Sequence, residues 1–385
     1  MKRIFHIVTA VIVFLNVGLV DSFALELEPV QMEKTIGAAV NWLQQSQESN
    51  GHFRYEYMPF LDRYIQDDHI VRQAGTVFVL SEAMRRDEKN HFALKDSVRS
   101  SLTYLDTNST DQLFNNYQFR CLKLNENQCT LGGTSLALIA YINLVKKYPE
   151  LTNKYSDLIE KNLNFIMAMR LPGKGFRGSF YLNADQTETE SDFYNGEALL
   201  ALTYYYQYNP DEKVKKNIDE SVEYFDKFYS ADWNNNFYLW GMAALKNLYL
   251  IEPKESYYKF VKDYTDWRIL GYKDKRNTDR NVCAYLEGIV SAFSVIQTKP
   301  GDTESYLEEI NFWLNQSRNL QIKKGDKMSV QINKAKTKKV ALKNPNKSIG
   351  GFLTSLSEPV QRIDFTQHCL NSFMQKYEDV DGNEM

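Results

Sequence analysis

The chain has 385 residues, 43% of them hydrophobic, which is enough to bury a large core as one big domain or two ordinary ones. A net charge of -3 gives no global attraction to nucleic acid, so that class of partner is set aside. The 25 tyrosines suit half-wet surfaces where a ring packs and a hydroxyl bonds, although most are expected in helix packing.

Lys2 and Arg3 precede an apolar stretch from Ile4 to Val20 and the small-residue segment Ser22-Phe23-Ala24. That is the pattern of a secretory signal peptide, so residues 1–24 are expected to be removed and the mature chain exported, periplasmic or secreted. The competing reading is an uncleaved anchor, because about 17 apolar residues is the lower limit for spanning a bilayer.

Amphipathic periodicity then predicts helices in outer and inner pairs. The first outer helix covers residues 32–47, with Ile36, Val40 and Leu43 on one face, and Ser49-Asn50-Gly51 stops it. Its inner partner covers 71–84. Five more pairs follow: 94–105 with 134–145, 158–169 with 196–206, 214–228 with 238–250, 257–267 with 282–296, and 305–315 with 364–377. Connections from outer to inner helix are long and chemically individual, whereas most links from inner to the next outer helix are shorter. This asymmetry gathers the long loops at one end, where function tends to sit.

Each inner helix opens on a short polar segment, followed at the aligned place by Gly in five units and by His368 in the sixth. The openings are Arg72-Gln73-Ala74-Gly75, Thr130-Leu131-Gly132-Gly133, Phe193-Tyr194-Asn195-Gly196, Leu239-Trp240-Gly241, Tyr285-Leu286-Glu287-Gly288 and Phe365-Thr366-Gln367-His368. Aligned positions fall 45 to 80 residues apart, a self-similarity that marks repeated architecture. A residue without Cβ lets crowded central helices approach despite costing about 1 kcal/mol of helix propensity against Ala. The expectation is an all-α (α/α)6 toroid over residues 25–385, with a cup at the inner-helix N-termini. An open solenoid would show a tighter period and stereotyped turns.

Four cysteines follow the export signal. Cys121 and Cys129 flank a polar loop and could staple it. Cys283 and Cys369 differ by about six residues in the repeat register, roughly 9 Å along parallel helices, so that pair is expected to remain unbridged.

The sixth unit carries extra length, residues 320–350, with lysines at 323, 324, 327, 334, 336, 338, 339, 343 and 347. Ser329-Val330-Gln331-Ile332 and Lys339-Val340-Ala341-Leu342 read as short strands. The insertion is either a solvated excursion or a flap touching an anionic polymer or surface.

The segments Asn41-Trp42-Leu43-Gln44-Gln45 with Asn50-Gly51-His52-Phe53, and Phe165-Ile166-Met167-Ala168-Met169 with Gly173-Lys174-Gly175-Phe176, each precede a Gly-Thr or Gly-Glu helix start. This grammar resembles the six-hairpin glycosidase-like toroids and, more distantly, terpenoid cyclases and prenyltransferases. The Asp-x-Asp-Asp of the protonating cyclases is absent from the sequence. The resemblance implies a saccharide cleft at the inner-helix N-termini and an acid/base pair of carboxylates, with no cofactor.

Position nominates the residues. Glu197 falls one place inside a repeat Gly and Glu287 one place before another, and charged groups are seldom buried alone. As acid and base across a sugar they would stand about 6.5 to 9.5 Å apart in an inverting hydrolase. Their competing role is structural pairing with an arginine such as Arg72 or Arg280. His368 replaces the Gly of the other five units and is a candidate proton carrier, although a lone His is usually a satisfied core residue. Arg72 and Gln73, with Asp67 and Asp68 just before them, could clamp a substrate hydroxyl or carboxylate. Asp192, Tyr194, Tyr285 and Asp364 complete the substrate-binding candidates, Asp192 and Asp364 being equally fit to cap their helices.

Three rivals to a glycoside hydrolase remain at this point. A polysaccharide lyase or uronate epimerase would use Tyr194, Tyr285, His368 and Arg72 for proton transfer and charge neutralisation. A zinc site would need Asp279, Cys283 and His368, whose spacing is loose. A non-catalytic toroid holding a glycan or a partner protein would tie Glu197 and Glu287 into ion pairs.

Overall fold

The computed structural model describes residues 26–272, 282–325, 327–333 and 336–385, so the signal-type segment and Asp279-Arg280-Asn281 lie outside the described residues. The helix pairs are α1 (Pro29–Ser46) with α2 (Ile70–Arg86), α3 (Lys95–Thr107) with α4 (Leu131–Lys147), α5 (Thr152–Ala168) with α6 (Asp192–Tyr208), α7 (Glu212–Ala231) with α8 (Asn235–Ile251), α9 (Glu255–Tyr272) with α10 (Val282–Ile296), and α11 (Glu304–Leu320) with α13 (Ile363–Gln375). A short α12 (Pro345–Ser348) precedes the last of these.

Sequence pattern explains the two layers. In α7 the buried positions Val214, Ile218, Val222, Phe225 and Tyr229 form one stripe, as a surface helix requires. In α4 every residue from Leu131 to Val145 is buried, as a helix enclosed on all sides requires. The inner helices pack in the order α2, α4, α6, α8, α10, α13, and α13 returns to α2, so the ring is closed. Crowding at its centre accounts for the repeat glycines: a Cβ on Gly196 would lie 2.6 Å from Trp240 Cβ and 2.9 Å from the Gly241 nitrogen. Gly51 follows the end of α1 at φ 91°, a left-handed turn that a side chain would strain.

Long connections tie neighbouring units at the open end. Strands β1 (Glu56–Met58), β2 (Arg63–Ile65) and β9 (Gln361–Arg362) join the first unit to the sixth in the antiparallel order β2-β1-β9. Strands β3 (Ser109–Phe114), β4 (Tyr117–Asn125), β5 (Gln128–Thr130) and β6 (Ser179–Tyr181) join the second to the third. The fourth unit departs from the expected asymmetry, since only three residues, Asp232 to Asn234, separate α7 from α8. The lysine-rich insertion forms an antiparallel hairpin of β7 (Lys327–Asn333) and β8 (Lys336–Ala341), as its two apolar runs predict.

The opposite end is filled. Glu82 on α2 is 1% exposed and accepts from Arg85 at 2.8 Å, Asn143 of α4 at 2.7 Å and Tyr204 of α6 at 2.9 Å. Arg86 and Lys246 of α8 converge on Asp379 at 2.9 and 2.8 Å. Burial raises the Glu82 carboxyl, but the Arg85 and Arg86 charges outweigh it and hold the group at about 2. Midway down the ring, Phe78 of α2 meets Trp240 of α8 edge to face at 5.7 Å from opposite sides. The toroid is therefore a cup.

Both cysteine pairs are disulfide-bonded, and Cys283–Cys369 corrects the expectation of an unbridged pair: its Cα atoms are 4.7 Å apart. The repeat register placed His368 level with Gly288. In the structure Glu287 instead meets both His368 and Asn371, and Ser291 meets Gln375 at 2.7 Å. Helix α13 has slid about one turn along α10, which brings Cys369 beside Cys283. Among the described residues, no helix is long and apolar enough to cross a membrane.

Candidate active site

Glu197 lies in the second turn of α6, 4% exposed, and its Oε2 has no hydrogen-bond partner. The carboxyl occupies the space left by Gly132 of α4, where any Cβ would overlap Oε2. Burial alone pushes its pKa up to about 8, so at neutral pH this carboxyl holds a proton. Tyr194, one turn earlier, packs on the same glycine, and burial raises its phenol.

Glu287 of α10 is 1% exposed and has both oxygens engaged. Its Oε2 lies 2.7 Å from His368 Nδ1, and its Oε1 accepts from Asn371 Nδ2 at 2.5 Å. Glu287 thus orients the imidazole through Nδ1, an arrangement in which a histidine can carry a proton on Nε2. Trp240 of α8 packs on Gly196 of α6, and its ring is 5.9 Å from that of His368.

A second cluster sits at the junction of the first and sixth units. Asp364 is gripped by Arg72 Nε at 3.1 Å and by Arg362 at 3.0 and 2.6 Å, and it also accepts from the Phe365 backbone at 3.1 Å. Arg72 further donates to the Tyr55 hydroxyl. The Arg72 side chain is 38% exposed, so the clamp faces outward and can meet a ligand.

The other nominated residues serve the scaffold. Gln73 is fully buried; it accepts from the Phe53 backbone at 2.9 Å and donates to that residue's carbonyl at 2.8 Å and to Asp68 at 2.7 Å. Its amide pins the first long loop and leaves no group for a substrate. Tyr285 turns toward the outer layer, under Arg268 of α9 at 3.8 Å and 3.4 Å from Glu309 of α11. Asp192 is in the first turn of α6, where it accepts from the Tyr229 hydroxyl at 2.9 Å rather than capping the helix.

Position in the register did not nominate His69, Asn371, Trp240 or Tyr55. His69 precedes α2 with a buried Nδ1 lacking a partner, and burial with the Arg72 charge lowers its pKa. Asn371 follows His368 by three residues, one turn on the same face, a spacing that could have flagged it. The zinc reading fails on chemistry, because the Cys283 sulfur is spent in a disulfide; no cluster of three or more ligating side chains occurs among the described residues.

The sequence matches no protein-family model and no curated protein. Solved structures do match. A D-mannose isomerase superposes with a TM-score of 0.62 at 12% identity, over 92% of this chain and 98% of its own. A family 76 glycoside hydrolase from a bovine Bacteroides thetaiotaomicron strain gives 0.63 at 8% identity, over 91% and 79%. Cellobiose 2-epimerase from Bacillus thermoamylovorans gives 0.63 at 10% identity, over 90% and 98%. At such identities the likeness speaks to the fold alone: the chain is an all-α toroid of six helical hairpins.

Proposed function

We propose that the protein is a carbohydrate-active enzyme, a glycoside hydrolase whose general acid is Glu197. The observation that carries this reading is the Glu197 carboxyl, buried at the open end of the ring without a counter-charge and protonated up to about pH 8. A carboxyl kept neutral at working pH can protonate a leaving glycosidic oxygen. His368, held by Glu287, takes the proton of the attacking water, and the Arg72–Asp364 clamp orients substrate hydroxyls. Glu287 acts through His368, because both its oxygens are already engaged. The sugar-processing names of several solved toroids and two disulfides compatible with an oxidising, exported setting support the reading.

A binding-only toroid predicts that both glutamates are tied up in ion pairs. Glu287 does pair with His368, whereas the buried Glu197 Oε2 has no hydrogen-bond partner, and Glu197 is the residue that speaks against this reading.

The second reading is a sugar epimerase, favoured by the same His368–Glu287 pair, since an oriented imidazole can also remove a carbon-bound proton. Incubating the purified protein with a glycan panel in deuterated water separates the two. A hydrolase releases new reducing ends and leaves carbon-bound hydrogen unexchanged, an epimerase incorporates deuterium at carbon without cleavage, and a lyase yields an unsaturated product absorbing in the near ultraviolet. A Glu197→Gln protein that matches wild type on every cleaved glycan would sink the assignment.

A further inference from the structure

We infer that the lysine-rich hairpin forms a second carbohydrate site, an extended cleft that takes the anionic part of a uronate- or sulfate-bearing glycan; this rests on the hydrolase reading and names its substrate class. Between β7–β8 and the body of the ring lies a cleft of about 430 Å³, inside the size range of ligand pockets. Among the described residues, the charged side chains lining it are Lys323, Lys324, Lys327 and Lys339, with no carboxylate. Lys339 donates to Ser329 at 2.9 Å, and no ion pair neutralises these four lysines among the described residues. From Arg318 to Ser357 the chain carries nine lysines and one arginine against the single acid Asp326, in a protein whose overall charge is -3.

A solvated excursion does not need a floor, and this one has it. Leu320, Ile322, Met328 and Leu353 are buried beneath the cleft, while Asn319, Gln321, Ser329 and Thr337 supply neutral polar groups along its walls. The hairpin is also fastened: the Gln331 backbone donates to the Leu356 carbonyl at 2.6 Å, and Lys343 to the Pro59 carbonyl at 3.0 Å. Desolvation in the cleft and the charges of Arg318 and Lys339 lower the Lys323 ammonium from its ordinary value, the mark of cations crowded without an anion.

The position selects the occupant. The insertion lies between α11 and α13, in an outer-to-inner connection, and is therefore at the open end of the cup. The cleft wall at Leu353 and Leu356 runs directly through β9 into Arg362 and Asp364. A polymer whose reacting unit enters the cup can thus lay its next units along the lysines. Among the described residues no aromatic ring lines the cleft on which a base could stack, which disfavours a single-stranded nucleic acid.

The test measures binding of galacturonate oligomers and of neutral mannan oligomers to the full mature chain, with Lys323→Glu/Lys339→Glu alongside wild type. The expected result is that galacturonate oligomers bind wild type with an affinity that falls as salt rises, and that the charge reversal weakens them roughly tenfold or more. Both substitutions are on the surface, so an unchanged melting temperature certifies the variant. Equal galacturonate affinity in wild type and variant overturns the inference, as does preferential binding of phosphatidylserine vesicles or single-stranded DNA. Cleavage of neutral glycans with no preference for anionic ones removes the cleft and leaves the hydrolase reading standing. Lysine-dependent galacturonate binding by a protein that cleaves no glycan does the reverse.

Discussion

His368 Nδ1 lies 2.7 Å from Glu287 Oε2 across the α10–α13 contact, so one carboxyl group fixes the orientation of the imidazole ring. Replacing Glu287 by Gln keeps the shape and removes the charge. We expect kcat to fall by about 10²–10⁴ with little change in KM, because the lost group acts on proton transfer rather than on ground-state binding. Steady-state kinetics on a cleaved glycan checks this, and a purely raised KM would contradict it.

Gly132 is the mould for the Glu197 carboxyl. In Gly132→Ala the new methyl group overlaps Oε2 and drives the side chain out of position. Activity is expected to fall by about 10²-fold, since a misplacement of about 1 Å in a reacting group has that effect. The Gly-to-Ala gain in helix propensity, about 1 kcal/mol, offsets part of the packing loss. A melting temperature close to wild type in an inactive variant is the signature to look for.

Glu197 also predicts a pH dependence of stability. Its folded pKa, about 8, exceeds the ordinary value of 4.5, so the folded chain binds more protons than the unfolded one between these limits. Its contribution is fully present below about pH 4.5 and is lost as pH rises through about 8, at a rate on the order of 1.4 kcal/mol per pH unit. Glu197→Gln cannot ionise. It should therefore match wild type at acid pH and exceed it in denaturant stability at pH 9, and equal stability of the two at pH 9 would refute the assigned pKa.

Glu82 at the closed end carries the opposite sign. Held at about 2, it contributes stability that is present above its ordinary 4.5 and is lost as pH falls through about 2. Glu82→Gln leaves Arg85 and Arg86 without this buried counter-charge, and we expect a loss of about 3–5 kcal/mol at neutral pH. Urea unfolding of the variant measures it, with catalysis little affected in the folded fraction.

The two disulfides should differ in weight. Cys283–Cys369 closes a separation of 86 residues and Cys121–Cys129 one of 8, so chain entropy favours the former by roughly 2 kcal/mol. Paired Cys→Ser replacements compared by urea unfolding test this ordering. Loss of the Cys283–Cys369 link is also expected to loosen the α10–α13 register and so weaken the Glu287–His368 pair.

Amphipathic periodicity alone located all the inner and outer helices, because a stripe of apolar residues every three or four positions can be buried only as a helix. The small residues at five inner-helix openings likewise announced a crowded ring, since only a missing Cβ admits the neighbouring backbone. The sequence also drew attention to Glu197, Glu287 and His368 as departures from that rule. What it did not contain was the sliding of one helix along another. A shift of about one turn between α10 and α13 joined Cys283 to Cys369 and added Asn371 to the Glu287–His368 pair. Nor did position in the register say where a side chain points. Gln73 and Tyr285 occupy opening positions beside other nominated residues, yet one is bound to the Phe53 backbone and the other turned toward Arg268 and Glu309. Local periodicity fixes which face of a helix is buried. The height of each helix against its neighbours, and hence the partners of each buried polar group, is decided by packing between segments far apart in the chain.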